Sequence, residues 1–255
     1  MVNASELLSK YEFHSASERM RIELPAIPTG ELARDLNAIY CAAVRERFGD
    51  SKYLIADENN HGFVGNNLFK AFFGDEVFSP IGLRMPTLAD LGDKRILEMV
   101  YREYYVIPTG VVLRGTDVCY EKNIGIANEL TEIVKGKGFN LKEPVLINGL
   151  RVEPWVKDEE EYGLRLVPIE EKFEIIEDER LSERFNRRRF EKTDEKGLPL
   201  KAKLEKNEGS RVWYTSDARL SRLYLSGDLN VDSDGENLAS SGDGGRVVLL
   251  SGEAG

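Results

Sequence analysis

The hydrophobic periodicity of the chain changes near residue 150, and this change constrains the fold more than any other feature. Before it, amphipathic helical segments alternate with short apolar runs, whereas after it the chain consists of short strand-like runs separated by turn residues. The sequence therefore predicts a mixed α and β fold. We expect an α/β part over residues 1–150 and a β-rich, antiparallel part over 151–255, and the two can form one continuous domain.

Two strand–helix–strand units are predicted in the first part. In the first unit, "RMRIELPAIP" alternates like a strand, residues 31–50 carry one apolar helical stripe, and "KYLIADE" is a second short strand. Thr29 can cap the helix and Gly49 can end it. In the second unit, the strands "GVVLRG" and "EPVLING" flank a helix over 119–138. Strands joined in this way are usually parallel neighbours, so we expect parallel pairing within each unit.

Two more helices are predicted between these units. They lie in "FVGNNLFKAFFGD" and "TLADLGDKRILEMVYREYY", and Thr87 or Asp90 can cap the second one. After Gly138 no strong helix is visible, apart from a turn or two around 181–190. Residues 191–210 form a polar connection of uncertain order. The remaining apolar runs of the second part are predicted to be strands.

Composition excludes several classes of function. The chain has 255 residues and a formal net charge of −10, so it has no global electrostatic attraction to phosphate backbones, and nucleic acid is an unfavoured partner. No stretch approaches the roughly 18 apolar residues of a membrane span, and the N-terminus lacks a signal-peptide core. The two cysteines are expected to be reduced, structural thiols, which favours a cytoplasmic location. The abundance of Lys and Glu is typical of proteins from hot environments.

The acidic stretch "DLNVDSDGENLASSGDGG" over 228–245 suggests a calcium loop. Its candidate ligands are Asp228, Asn230, Asp232 and Asp234. With Gly235 at position 6 of an EF-hand loop, Asn230 stands where Asp is wanted at position 1, and Ser241 replaces the Glu of position 12. A start at Asp228 loses the central glycine instead. We therefore favour a β-hairpin that turns at 227–228, with an incomplete Ca²⁺ site as the alternative.

A second candidate site is "IADENNHGFVGNN" over 55–67. Asp57 and His61 follow the end of a predicted strand, and Asp117 follows the end of another. In open α/β sheets, ligands gather at the carboxyl ends of strands, so these three side chains can converge in one cleft. Two carboxylates and an imidazole suffice for acid–base chemistry or for a divalent metal. The alternative is that they are ordinary loop residues.

A third candidate is the basic run "RFNRRRFEK" over 184–192. Its arginines are interleaved with aromatic residues, which is a pattern suited to single-stranded RNA: Arg184, Arg187, Arg188 and Arg189. The preceding stretch is strongly acidic, however. We therefore favour neutralisation of the two runs within the fold or across a homo-oligomer over contact with nucleic acid.

No motif fixes an activity or a cofactor. The sequence contains no glycine-rich nucleotide-cofactor fingerprint, no phosphate-binding loop, no nucleophile elbow and no zinc spacing, so a divalent metal is the one cofactor with candidate ligands. The leading hypothesis is a protein that binds a small molecule or another protein without catalysis. The alternatives are a metal-assisted hydrolase that uses Asp57, His61 and Asp117, and an RNA-contacting protein that uses 184–189. Whether the chain is an enzyme stays undecided.

Overall fold

The structure is a computed structural model that describes residues 9, 11–12, 20–21, 23–55, 67–155, 162–241 and 244–252. This part of the chain contains five α-helices, several short 3-10 turns and thirteen short strands. The helices are α1 (Gly30–Phe48), α2 (Leu68–Phe78), α3 (Lys94–Val100), α4 (Ile124–Gly136) and α5 (Lys201–Lys206). The strands are β1 (Tyr11–Glu12), β2 (Met20–Arg21), β3 (Leu83–Arg84), β4 (Val111–Leu113), β5 (Val145–Asn148), β6 (Leu150–Pro154), β7 (Leu164–Pro168), β8 (Glu174–Glu177), β9 (Arg188–Phe190), β10 (Arg211–Tyr214), β11 (Leu220–Leu225), β12 (Val231–Asp234) and β13 (Leu250–Ser251).

A seven-stranded sheet forms the centre of the fold. Its strand order is β8, β5, β4, β11, β12, β10, β9, and every neighbouring pair is antiparallel except β10 with β12. The mixed α+β class predicted from the sequence is therefore confirmed. β4 and β5 precede residue 150 and the other five strands follow it, so the change of periodicity near residue 150 does not separate two sheets.

Both faces of this sheet are covered by apolar side chains. Val111 and Leu113 of β4 face one core with α1, α2, α4 and the β6–β7 hairpin, whereas Val112 faces a second core around Trp213 and Phe190. Successive side chains of a strand point to opposite faces, so a strand between two cores must be apolar throughout. This requirement explains the uninterrupted apolar run at 111–113.

Most predicted elements of the first part exist, but their caps differ. Gly49 ends α1 at a positive φ of 61°, as expected, whereas Thr29 makes no side-chain capping bond. Asn67 caps α2 by accepting the N–H of Phe69, and Asp93 caps α3 by accepting the N–H of Arg95. Asp93 therefore replaces the predicted caps at 87 and 90. None of the described helices is long and apolar enough to cross a bilayer.

The expected parallel pairing is wrong for the second unit, because β4 and β5 are antiparallel. The helix between them explains the reversal. Thr131 of α4 accepts a hydrogen bond from Arg219 just before β11, and Leu141 lies against Gly115 just after β4. The connection thus stays at the end of the sheet where β4 ends, and the chain enters β5 from that same end.

The prediction of a second strand in the first unit is also wrong for the residues that the structure describes. Residues 52–54 of "KYLIADE" form a turn in which Leu54 and Ile55 donate their N–H groups to the carbonyl of Ser51. Leu54 is fully buried in this turn, so its burial and not strand pairing accounts for the apolar pattern. The rest of this segment, from residue 56, lies outside the described residues.

The β-rich second part and its hairpin are confirmed. β11 and β12 pair antiparallel, with Leu225 opposite Val231, and residues 226–230 form the turn between them. Ser226 and Asn230 close the turn through a backbone hydrogen bond. The acidic stretch therefore begins as a hairpin turn followed by a strand. The short helix α5, by contrast, lies in the stretch over 191–210 that was expected to be a polar connection.

Candidate functional site

A polar cleft of about 850 Å³ opens at the end of the sheet where β4 begins and β5 ends. Its walls come from the end of α2, from β3 and β13, from the 3-10 turn at Ala89–Gly92 and from β8. The cleft therefore draws on both halves of the chain. The side chains on which its chemistry depends are Asp75, Arg84, Asp90, Asn148, Lys172 and Glu174.

Asp75 stands near the end of α2 and is half-buried in the cleft wall. Its Oδ1 atom accepts the backbone N–H of Met85 at 2.9 Å, and its other oxygen has no hydrogen-bond partner among the described residues. Burial raises the pKa of this carboxyl, against the lowering effect of the Met85 N–H and of the Lys172 and Arg84 charges. Asp75 is thus a carboxyl group that takes up a proton more readily than an exposed aspartate.

Asp90 lies in the same wall in a very different environment. Arg84 binds it through two parallel hydrogen bonds, 2.7 Å to Oδ2 and 2.8 Å to Oδ1, and Thr87 donates to it from both its N–H and its hydroxyl. Burial opposes the ionisation of Asp90, but these hydrogen bonds hold its pKa below the ordinary value. The cleft therefore contains two carboxyl groups with different hydrogen bonding: Asp90 accepts several hydrogen bonds and has a lowered pKa, whereas Asp75 accepts one and has a raised pKa.

The far wall is shaped by the turn that follows β5. Asn148 donates from Nδ2 to Glu174 at 3.2 Å, and Gly149 has a φ of 68°. A Cβ atom on Gly149 would lie 2.0 Å from the carbonyl oxygen of Lys172, so this position requires glycine. The close approach brings Lys172 and Glu174 to the rim of the cleft, where both are exposed.

No sequence pattern predicts this site. Asp75 lies within "LFKAFFGDEVF", a largely apolar helical run whose other charged residues are Lys70 and Glu76. A charge in such a run requires either a partner or a cleft. The residue that could have marked the site was therefore present, but nothing in the sequence distinguished it from a surface position of α2.

Of the residues proposed for metal-assisted hydrolysis, Asp117 is described by the structure, and it does not line this cleft. Asp57 and His61 lie outside the described residues. Asp117 is exposed in the loop after β4, whereas Thr109 at the cleft precedes β4, so Asp117 belongs to the opposite end of this strand. The convergence of these three side chains remains an untested hypothesis.

The four candidate calcium ligands lie on and near the β11–β12 hairpin. Asp228 is exposed in the turn, and Asn230 accepts the N–H of Val212 at 2.7 Å. Asp232 accepts the hydroxyl of Tyr224 at 2.9 Å, and Asp234 accepts two hydrogen bonds from Arg222. Three of the four side chains thus have protein partners. Among the residues that the structure describes, no group of three or more His, Cys, Asp or Glu side chains has an arrangement that could hold a metal ion.

The arginine run is divided between two environments. Arg184 pairs with Glu179 and lies over the ring of Phe185. The other three arginines are exposed and make no ion pair with any described residue: Arg187, Arg188 and Arg189. The expected neutralisation within the fold therefore holds for Arg184, and contact of the exposed arginines with RNA remains an untested alternative.

Comparisons with models of protein families, with curated proteins and with solved structures found no match for this chain. Any functional conclusion therefore rests on the geometry and the charges of the site itself.

Proposed function

We propose that this protein binds a small polar molecule in the cleft between α2, β3 and β8. The observation that carries the proposal is Asp75, a half-buried carboxyl in the cleft wall with an oxygen that no described residue satisfies. Binding sites are concave and use a few polar groups to orient the ligand, and the second carboxyl oxygen of Asp75 is such a group, left open to the cleft by the described residues.

The test is to obstruct the cleft and to measure the loss of ligand binding. Ala89 is exposed and lines the cleft, so Ala89→Trp places an indole in the opening, and Ala202→Trp on the exposed face of α5 is the matched control. A library of small polar metabolites would be screened by thermal shift. We expect ligands that stabilise the unmodified protein and the control but not Ala89→Trp. Ligands that stabilise all three proteins equally would place binding elsewhere and contradict the proposal.

A cytoplasmic location is part of the same proposal. Cys41 and Cys119 form no disulfide within the described part of the chain, and Cys41 is buried in α1. Unbridged cysteines are typical of proteins that stay in a reducing compartment. Cell fractionation followed by immunoblotting tests this location, and recovery of the protein in a secreted fraction would contradict it.

A further inference from the structure

We infer that the ligand of this cleft presents an ammonium or guanidinium group to Asp75. The inference rests on the proposed function and names the chemical class of the ligand. It comes from a comparison of the two aspartates in the same wall. Asp90 has a bidentate guanidinium partner in Arg84, whereas Asp75 accepts one backbone N–H and makes no ion pair within the described part of the chain.

The contacts of Arg84 explain why Asp75 has no internal cation. The Nη1 atom of Arg84 donates to Asp90 and to the carbonyl of Met85, and its Nη2 atom donates to Asp90. Two of its hydrogen-bond directions are thus fixed on Asp90, and Arg84 acts on Asp75 by charge alone. A cation that enters the cleft would give Asp75 the kind of partner that Arg84 gives Asp90.

The charge of the wall favours a cation over an anion. The carboxyl groups that line the cleft are Asp75, Asp90, Glu174 and Glu195, and the cationic side chains are Arg84, Lys172 and Lys196. With all of them ionised, the wall carries one more negative charge than positive charges. A monocation balances this excess, whereas an anionic ligand increases it.

The proposal implies that binding is linked to a proton. The charged groups that act on Asp75 are Arg84, Lys172 and Asp90, and its burial favours the neutral form of the carboxyl over the ionised one. A neutral carboxyl cannot form the ion pair, so a cation must displace the proton. Below the pKa of Asp75 in the free protein, the Kd of a cationic ligand should rise about tenfold for each pH unit.

The experiment uses four probes that share a four-carbon chain and differ in their end groups. Putrescine supplies two ammonium groups, 1,4-butanediol supplies two hydroxyls, and succinate supplies two carboxylates; agmatine adds a guanidinium probe. Binding to the full chain is measured by calorimetry from pH 8 down to the lowest pH at which the protein stays folded. Asp75→Asn keeps an acceptor for the Met85 N–H but has no charge, and Asp228→Asn in the exposed hairpin turn is the matched control.

We expect putrescine or agmatine to bind more tightly than the diol and succinate, with a Kd that weakens as the pH falls. Asp75→Asn should weaken binding at least tenfold and remove the pH dependence, while Asp228→Asn changes neither. Amines that bind no better than the diol, or that bind Asp75→Asn as tightly, overturn the inference.

Two further outcomes separate the inference from the proposed function. If succinate or an uncharged metabolite binds and Ala89→Trp abolishes that binding, the cleft is a ligand site but its ligand is not a cation. If neither these probes nor any library compound binds in a manner sensitive to Ala89→Trp, both the inference and the proposed function are wrong. The pH profile of the unmodified protein serves as a second readout if Asp75→Asn folds poorly.

Discussion

At the residue scale, the cleft shows how partners decide the behaviour of identical side chains. Asp75 and Asp90 both line the same wall and are both partly removed from water. Asp90 receives four hydrogen bonds from Arg84 and Thr87, which stabilise its ionised form, whereas Asp75 receives one. Burial therefore dominates at Asp75 and hydrogen bonding dominates at Asp90.

The raised pKa of Asp75 predicts how Asp75→Asn changes stability with pH. Asp75 binds its proton more readily in the folded protein than in the unfolded chain. Burial of the ionised carboxylate therefore destabilises the fold above the pKa that Asp75 has in the folded protein. This destabilisation disappears as the pH falls below the pKa that Asp75 has in the unfolded chain. We expect Asp75→Asn to melt no lower than the unmodified protein at pH 8. Its advantage should shrink towards pH 4, as measured by thermal denaturation at each pH. A variant that melts lower at pH 8 would contradict this cause of the shift.

Gly149 should tolerate no side chain. Gly149→Ala places a Cβ atom 2.0 Å from the Lys172 carbonyl oxygen in a left-handed conformation, so it should cost at least about 2 kcal/mol of unfolding free energy. Gly136→Ala is the matched control because it adds a Cβ atom at the end of α4, with nothing within 4 Å. It should be neutral or stabilising by up to about 1 kcal/mol. Urea denaturation compares the two, and equal effects would show that the close approach is absent.

Among the elements, the start of α2 depends on contacts that are distant in sequence. Asn67 caps α2 and also donates from Nδ2 to the carbonyl oxygens of Tyr53 and Ala239, both at 2.8 Å. One amide thus joins a helix, a turn and a segment near the C-terminus. Thr29, the residue expected to cap α1, is exposed and makes no such bond. Residue type alone did not identify which cap contributes to stability.

These two positions give a direct comparison of caps. Asn67→Ala removes three hydrogen bonds in a buried position and should lower the unfolding free energy by about 2–4 kcal/mol. Thr29→Ala removes none that the structure contains and should change it by less than about 0.5 kcal/mol. Both are measured by urea denaturation. A large loss for Thr29→Ala would mean that its hydroxyl caps α1 after all.

The β11–β12 hairpin should not respond to calcium. Asn230, Asp232 and Asp234 already have partners in Val212, Tyr224 and Arg222, so a cation would have to displace them. Calcium at about 10 mM, which exceeds the Kd of even weak extracellular sites, should therefore leave the melting temperature unchanged. A rise of several degrees that Asp232→Asn abolishes would restore the calcium interpretation.

At the scale of the whole molecule, the sheet connects the two parts predicted from the sequence. β4 and β5 lie between β8 on one side and β11 on the other, and all three pairings are antiparallel ladders. Neither part contains the whole seven-stranded sheet, because the first contributes only β4 and β5. The hydrophobic contacts on both faces of these strands therefore combine residues from both parts.

We expect the described fold to unfold in one cooperative step. Cys41 is buried in the first part and Trp213 in the second, so each reports on one side of residue 150. In a Cys119→Ser, Trp155→Phe background, urea midpoints from thiol labelling and from tryptophan fluorescence should coincide. Midpoints that differ by more than their errors would show two independently folding parts.

Most helices and strands could be predicted from the sequence, because the periodicity of their apolar residues is a local property. The stripe of α1, the buried run at 111–113 and the alternation on either side of 226–230 each follow from which side chains a helix or strand must bury. The mixed class and the hairpin could therefore be predicted. The Asn67 cap and the apolar turn at 52–54 could not, because Asn67 binds the carbonyls of Tyr53 and Ala239, which are distant from it in sequence.

The direction of strand pairing, and with it the location of the cleft, depends on contacts between segments that are distant in sequence. The strand–helix–strand pattern favours parallel neighbours, whose carboxyl ends share one edge, and this led to Asp117. In the structure α4 stays at the end where β4 finishes, so β5 runs antiparallel and the cleft opens at the other end. Asp75 becomes a site residue because α2, β3 and β8 meet there, and this meeting depends on long-range packing that no local pattern of residues encodes.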